Sequence, residues 1–330
     1  MLRIRLWLAA IAAAALTPNL AAACSVCLAG DPVFSTHGAS AQNEGDLSLF
    51  LQLQTLEKTA GALPHDDDDD HDAEDAHAAA HAVELESADD QRLDLYLAWT
   101  PQNRITLTLN LPLVFNEIHE SGERTATSGL GDLALSASVV AWRDREVLPS
   151  AWIEARAFVK APIGDTDRAR HGAIDPHLQP GTGSWDFGLG FAAAKRFARG
   201  AVYASVFYRE NGGGDFGHHR YAYGDAVFAN VAVETPLGHA TGIPALDAFT
   251  LGTELNFRDA QRDRAEGARF AHSGGALLYA TPSLRVRLPL RIRERALSLR
   301  GAVQIPLTNA WLRGVQREDE VWSLGLFVPL

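Results

Sequence analysis

Ile105-Thr106-Leu107-Thr108-Leu109-Asn110-Leu111-Pro112-Leu113 alternates almost without a break. The odd positions are all aliphatic, whereas Thr106, Thr108 and Asn110 face the other way. Successive side chains of a strand point to opposite faces, so a period of two gives one apolar and one polar surface. The pattern recurs in both directions along the chain. Leu47, Leu49, Leu51 and Leu53 oppose Ser48, Gln52 and Gln54; Val227, Ala229, Val231 and Val233 oppose Asn230 and Glu234. Leu297, Leu299, Val303 and Ile305 oppose Ser298, Arg300 and Gln304. Such segments are predicted at 46–56, 91–100, 104–114, 130–142, 150–160, 184–197, 200–209, 223–236, 247–257, 276–289, 295–307 and 320–330.

The connections alternate in length. Those at 101–103, 198–200 and 290–294 are short, while 57–90, 115–129, 161–183, 210–222, 258–275 and 308–319 are long and polar. Short periplasmic turns, long outer loops and an even strand number are the marks of a bacterial outer-membrane barrel. The expected fold is therefore all-β: a transmembrane antiparallel β-barrel of about twelve strands, 46–330, in contact with outer-membrane lipid. Trp322, Leu324, Leu326, Val328 and Leu330 give the last strand an apolar face, although such strands commonly end on an aromatic residue. Trp99, Trp142, Trp152, Trp185, Trp311 and Trp322 fall near strand ends, where interfacial aromatic girdles sit.

The N-terminus fits export. Arg3 and Arg5 precede the apolar run Leu6–Leu16, and Ala21-Ala22-Ala23 offers a cleavage site, so 1–23 reads as a signal peptide. A periplasmic segment, 24–45, then carries Cys24 and Cys27, the two cysteines of the 330-residue chain. A small disulfide is the plain reading, with metal or redox chemistry and lipidation of Cys24 as alternatives. Every later apolar run is broken by charge, Gly or Pro, so no transmembrane helix is predicted. A mean hydropathy of −0.07 does not distinguish a barrel from a soluble protein. The net charge of −12 argues against nucleic acid as a partner.

With the apolar faces toward lipid, the opposite faces line the interior. That set includes Asp94, Glu154, Arg156, Lys160, Asp186, Glu234, Glu254, Arg285, Arg287 and Arg300. Charges of both signs there call for pairing or water. They would line a wet conduit for a small solute, or form a dry network closing a barrel narrower than general porins.

Gly129-Leu130-Gly131-Asp132-Leu133 and Gln179-Pro180-Gly181-Thr182-Gly183-Ser184-Trp185-Asp186 resemble motifs of outer-membrane proteins related to phenol meta-pathway degradation. The start Ala23-Cys24-Ser25-Val26-Cys27 resembles a subset with an N-terminal cysteine pair. The resemblance implies a barrel and transport of hydrophobic or aromatic compounds, without naming the solute.

The first outer loop is chemically distinct. His65, five aspartates, His71, Glu74, His77, His81 and Glu84 follow one another in 65–86. On a short helix, Glu74, His77, His81 and Glu84 would share one face. Imidazoles one turn apart beside carboxylates suit Zn²⁺, Cu²⁺ or Ni²⁺. The alternative is a solvated acidic loop. No Gly-x-Ser-x-Gly elbow, P-loop or dinucleotide fingerprint occurs, so an enzyme is not expected. Two functions follow: a channel or uptake protein for small solutes, or a metal-binding surface protein anchored by a closed barrel.

Overall fold

In the structure, a computed structural model, residues 44–60, 87–120, 123–170, 173–174, 176–269, 273–312 and 316–330 are described. The signal-peptide reading, the cysteine pair and the acidic histidine-rich tract fall outside these residues.

Twelve antiparallel strands form one closed sheet. They are β1 (Leu47–Ala60), β2 (Ser87–Gln102), β3 (Ile105–Glu120), β4 (Glu123–Leu130 continued by Leu133–Arg143), β5 (Ala151–Ala161) and β6 (Asp186–Phe197). There follow β7 (Gly200–Asn211), β8 (Ala226–Pro236), β9 (Phe249–Ala260), β10 (Gly275–Ile292), β11 (Arg295–Thr308) and β12 (Gln316–Pro329). Each strand pairs with its sequence neighbours, and β1 closes the cylinder on β12 from Ser48↔Pro329 to Ala60↔Gln316. Closure leaves no sheet edge for the bilayer to solvate, which is why only a closed barrel can cross lipid with strands.

The outward residues form the lipid face. Leu93, Leu95 and Leu97 of β2, Phe187, Leu189 and Phe191 of β6, and Val231 and Val233 of β8 are all exposed. In water so continuous an apolar band would drive aggregation; in a bilayer it is the solvated surface. Trp99, Trp142, Trp185, Trp311 and Trp322 are exposed as a girdle requires. Trp152 is a correction: it is 1% exposed and points inward, with the Arg196 guanidinium 4.8 Å from its ring centre. Its parity with Glu154 and Arg156 dictates that direction.

One end of the barrel carries tight connections. Arg293 and Glu294 join β10 to β11 as a two-residue turn with both φ values positive, the conformation that matches strand twist in hairpins. The connection 237–248 is longer and holds α1 (Leu237–Thr241), stopped by left-handed Gly242. The other end differs from expectation in its strand lengths. The predicted loop 115–129 is instead a continuation of β3 to Glu120 and of β4 from Glu123, and the first outer loop shortens to 61–86. Above the lipid band, outward side chains need not be apolar, so alternation fades while backbone pairing continues. The connections 212–225 and 261–274 contribute a small four-stranded sheet over this mouth, packed around Phe216, Tyr221 and Tyr223.

Candidate functional site in the lumen

Inward side chains divide the interior into three levels. Nearest the tight turns, Thr106 and Thr108 of β3, Ser136 and Ser138 of β4, and Ser298 of β11 are small. They leave a cavity of about 750 Å³, into which Arg156, Arg285, Arg287, Arg300, Glu234 and Asp247 also project. Its aromatic wall comes from Phe50, Tyr96 and Phe327.

An aromatic cluster marks the outer end of this space. Tyr96, Phe158, Phe207 and Phe228 pack together with Ala134 and Ala226, and Phe50 joins from β1. Phe158 and Phe207 meet edge to face at 6.3 Å, a geometry favoured by the ring quadrupole. Phe207 lies flat against β6 because Gly190 stands beneath it: a Cβ there would come within 2.5 Å of the ring. Beside the cluster runs an uncharged ladder. Asn230 donates to Ser205 (3.0 Å), Asn256 donates to Asn230 (2.8 Å), and Thr281 donates to Asn256 (2.6 Å).

Toward the outer mouth the lumen is filled. Lys58 pairs with Asp90 at 3.2 Å, Arg258 pairs with Glu318 at 2.6 Å, and the Tyr279 hydroxyl donates to Glu318. A second hub is Asp132, at the break in β4. Its carboxylate accepts from the Gly164 N–H (3.0 Å), the Thr182 N–H (2.8 Å) and the Thr182 hydroxyl (2.6 Å), and faces Lys160 at 3.2 Å. Lys160 also pairs with Asp186 at 2.6 Å, and Asp186 accepts from Ser184 at 2.8 Å. These contacts bend the connection 162–185 inward. Leu178 packs against Ala88 and Ile118, and Asn116 donates to the Gln179 carbonyl at 3.1 Å. Gly181 crosses Gly164 so closely that a Cβ would lie 2.5 Å from the Gly164 oxygen. The glycine-rich stretches 129–133 and 179–186, distant in sequence, are therefore one contact in space.

Each predicted interior residue can be located. Asp94 is buried and accepts from Arg92 at 2.8 Å and Asn110 at 2.9 Å. Arg156 pairs with Glu154 at 2.6 Å, and Arg285 pairs with Glu234 at 3.0 Å. Arg287, at the rim, donates to the Asp247 carbonyl. Glu254 is buried, and Arg300 lines the cavity. Lys160 and Asp186 belong to the outer hub rather than to the open space. Sequence reading missed Lys58, Asp90, Asp132, Arg258, Tyr279 and Glu318. The signal was parity: Lys58 continues the inward series Gln52, Gln54, and Arg258 continues Glu254, Asn256.

His65, His71, Glu74, His77, His81 and Glu84, like Cys24 and Cys27, lie outside the described residues. Among the described residues no group of three or more His, Cys, Asp or Glu is placed to hold a metal.

Residues 93–243 match the family described as "Putative MetA-pathway of phenol degradation". No curated protein sequence matches the chain. The COG4313 outer membrane channel from Pseudomonas putida F1 is similar in structure, with a TM-score of 0.60 and 18% identity over 88% of this chain and 97% of that one. The translocator domain of the autotransporter NalP from Neisseria meningitidis gives 0.43 at 9% identity, over 89% and 91% of the two chains. A mutant of the monoaromatic hydrocarbon channel TodX also gives 0.43, at 8% identity over 94% and 96%. The two looser likenesses bear no weight here. The first agrees with the strand topology: the fold is that of an outer-membrane channel barrel.

Proposed function

We propose that the protein is an outer-membrane conduit for small hydrophobic or aromatic solutes. The observation that carries this reading is the cavity of about 750 Å³ bounded by Phe50, Tyr96 and Phe327 and ending on the aromatic cluster. A space of that size, with an aromatic wall on one side and polar and charged groups on the other, suits a compact, largely apolar molecule. The match of residues 93–243 to a family named for phenol degradation favours the same solute class. Uptake of naphthalene by intact cells, with and without the folded barrel in the outer membrane, tests it. Faster initial uptake with the barrel is expected; equal rates with folded barrel present would remove the reading.

A second reading attaches to 61–86. β1 ends at Ala60 and β2 begins at Ser87, and the acidic, histidine-rich tract is the sequence between them. Capture of Zn²⁺, Cu²⁺ or Ni²⁺ there is a proposal from composition. Deleting 62–86 should abolish Zn²⁺ retention by the barrel while leaving naphthalene uptake in place.

A further inference from the structure

We infer that the cavity holds a subsite for a monoanionic carboxylate with a compact apolar body, centred on Arg300. The inference rests on the conduit reading for its route of entry, but its geometry is independent. Arg300 points inward from β11, where its register partners are Arg285 on β10 and Gly325 on β12. Like charges directly opposite one another across a rung are unfavourable unless something neutralises them. Arg285 is neutralised by Glu234 at 3.0 Å. Arg156 has Glu154 at 2.6 Å, and Arg287 has the Asp247 carbonyl. Arg300 differs: among the described residues its guanidinium has no hydrogen-bond partner and no carboxylate within 4.0 Å. Glu254 and Glu234 act on it only from a distance.

A guanidinium presents five N–H donors in a planar fork that matches a carboxylate. Inside a barrel wall such a group needs an acceptor, and the cavity is where one can sit. The neighbouring wall supplies the rest of the recognition. Gly325 contributes no side chain, and the Phe50 ring occupies the space beside it, 2.6 Å from where a Cβ would stand. Phe50, Tyr96 and Phe327 give an apolar seat next to a charged fork. The Arg300 fork takes one carboxylate, and Glu234 and Glu254 nearby disfavour a dianion. A benzoate-like acid satisfies both halves of this description.

The test uses the full mature barrel in a zwitterionic detergent, titrated with 4-fluorobenzoate and with 4-fluorobenzyl alcohol by fluorine NMR. Wild type should bind the acid more tightly than the alcohol. Arg300→Gln should cut that preference roughly tenfold to a hundredfold, the value of a charge-assisted pair, and Arg300→Lys should restore part of it. Heat-modifiable gel mobility confirms that each variant is folded. Equal affinity for acid and alcohol in wild type overturns the subsite, whatever the variants do; so does an unchanged preference in folded Arg300→Gln. An Arg300-dependent preference in a barrel that fails the naphthalene test would retain the subsite and reject the conduit. Naphthalene uptake without acid preference would do the reverse.

Discussion

The two halves of the lumen share one cylinder and one alternation of side chains, yet one is filled and the other open. In the outer half the inward positions carry long side chains that pair: Lys58 with Asp90 and Lys160 with Asp186 on adjacent strands, and Arg258 with Glu318 from strands that are not neighbours. In the half nearer the tight turns the short side chains of Thr106, Thr108, Ser136, Ser138 and Ser298 leave a cavity beside Arg156, Arg285, Arg287 and Arg300. Backbone geometry does not distinguish these regions. The row of short Thr and Ser side chains does, and in the filled half charge pairing is the means by which buried ions are tolerated.

The largest effect should come from breaking that pairing. Glu318→Ala leaves Arg258 and the Tyr279 hydroxyl without their shared acceptor in a buried site, and removes a carboxylate whose charge reaches Lys58. Removing one partner of such a network costs about 3–5 kcal/mol, read as a lowered denaturant midpoint of the folded barrel. Glu318→Gln, which keeps an acceptor, should cost less. A loss no greater than that of an exposed pair would mean that the outer half is not locked. A matched insertion sharpens the contrast. Ala88→Trp, forced against Ile118 and Leu178, should destabilise by about 1–3 kcal/mol. Ser138→Trp projects into open space and should change stability by less than about 1 kcal/mol, while lowering ionic conductance in a planar bilayer. Equal destabilisation at both sites would show that the cavity is not open.

The division was only partly legible in the sequence. Period-two alternation gave the strand number and the inward direction of Glu154, Arg156 and Arg300, because parity is a local property. Two kinds of information were not local. Strand ends above the lipid band lose the apolar signal, so alternation alone ends β3 near residue 114 and puts Lys58, Asp90 and Glu318 in loops, whereas the structure has them in strands. Nor does spacing reveal which inward charges meet. Asp132 and Thr182 are fifty positions apart, and their contact depends on Gly164 and Gly181 passing without side chains. The glycines marked the two stretches as unusual, but not as neighbours. Pairing is likewise invisible along the chain: Arg285 and Arg300 look equivalent in sequence, and only the fold gives one of them Glu234.

The smallest effect concerns the rim of the open half, and whether its shape depends on the turns rather than on a filled interior. Asp144 organises the connection 144–150. Its carboxylate accepts from the Ser150 hydroxyl at 2.5 Å, the Ser150 N–H at 2.9 Å and the Ala151 N–H at 3.0 Å. Those donors, the Ser150 hydroxyl and the Ala151 N–H foremost, hold its pKa well below the usual carboxylate range, with Arg145 adding to the effect. A carboxylate depressed in the folded state contributes stability that is complete above its unfolded pKa, about 3.9, and disappears as pH falls through the folded value. The turn should therefore stay closed throughout the mildly acidic range and loosen only in stronger acid. Amide proton shifts of Ser150 and Ala151, followed downward from pH 6, should show no midpoint near 4, the ordinary Asp value, and Asp144→Asn should remove the dependence. A midpoint at that ordinary value would mean the carboxylate is not held by these donors. Conductance should not follow the same titration, because the cavity wall at Ser136, Ser138 and Thr108 is fixed by strand pairing and not by the turn beneath it.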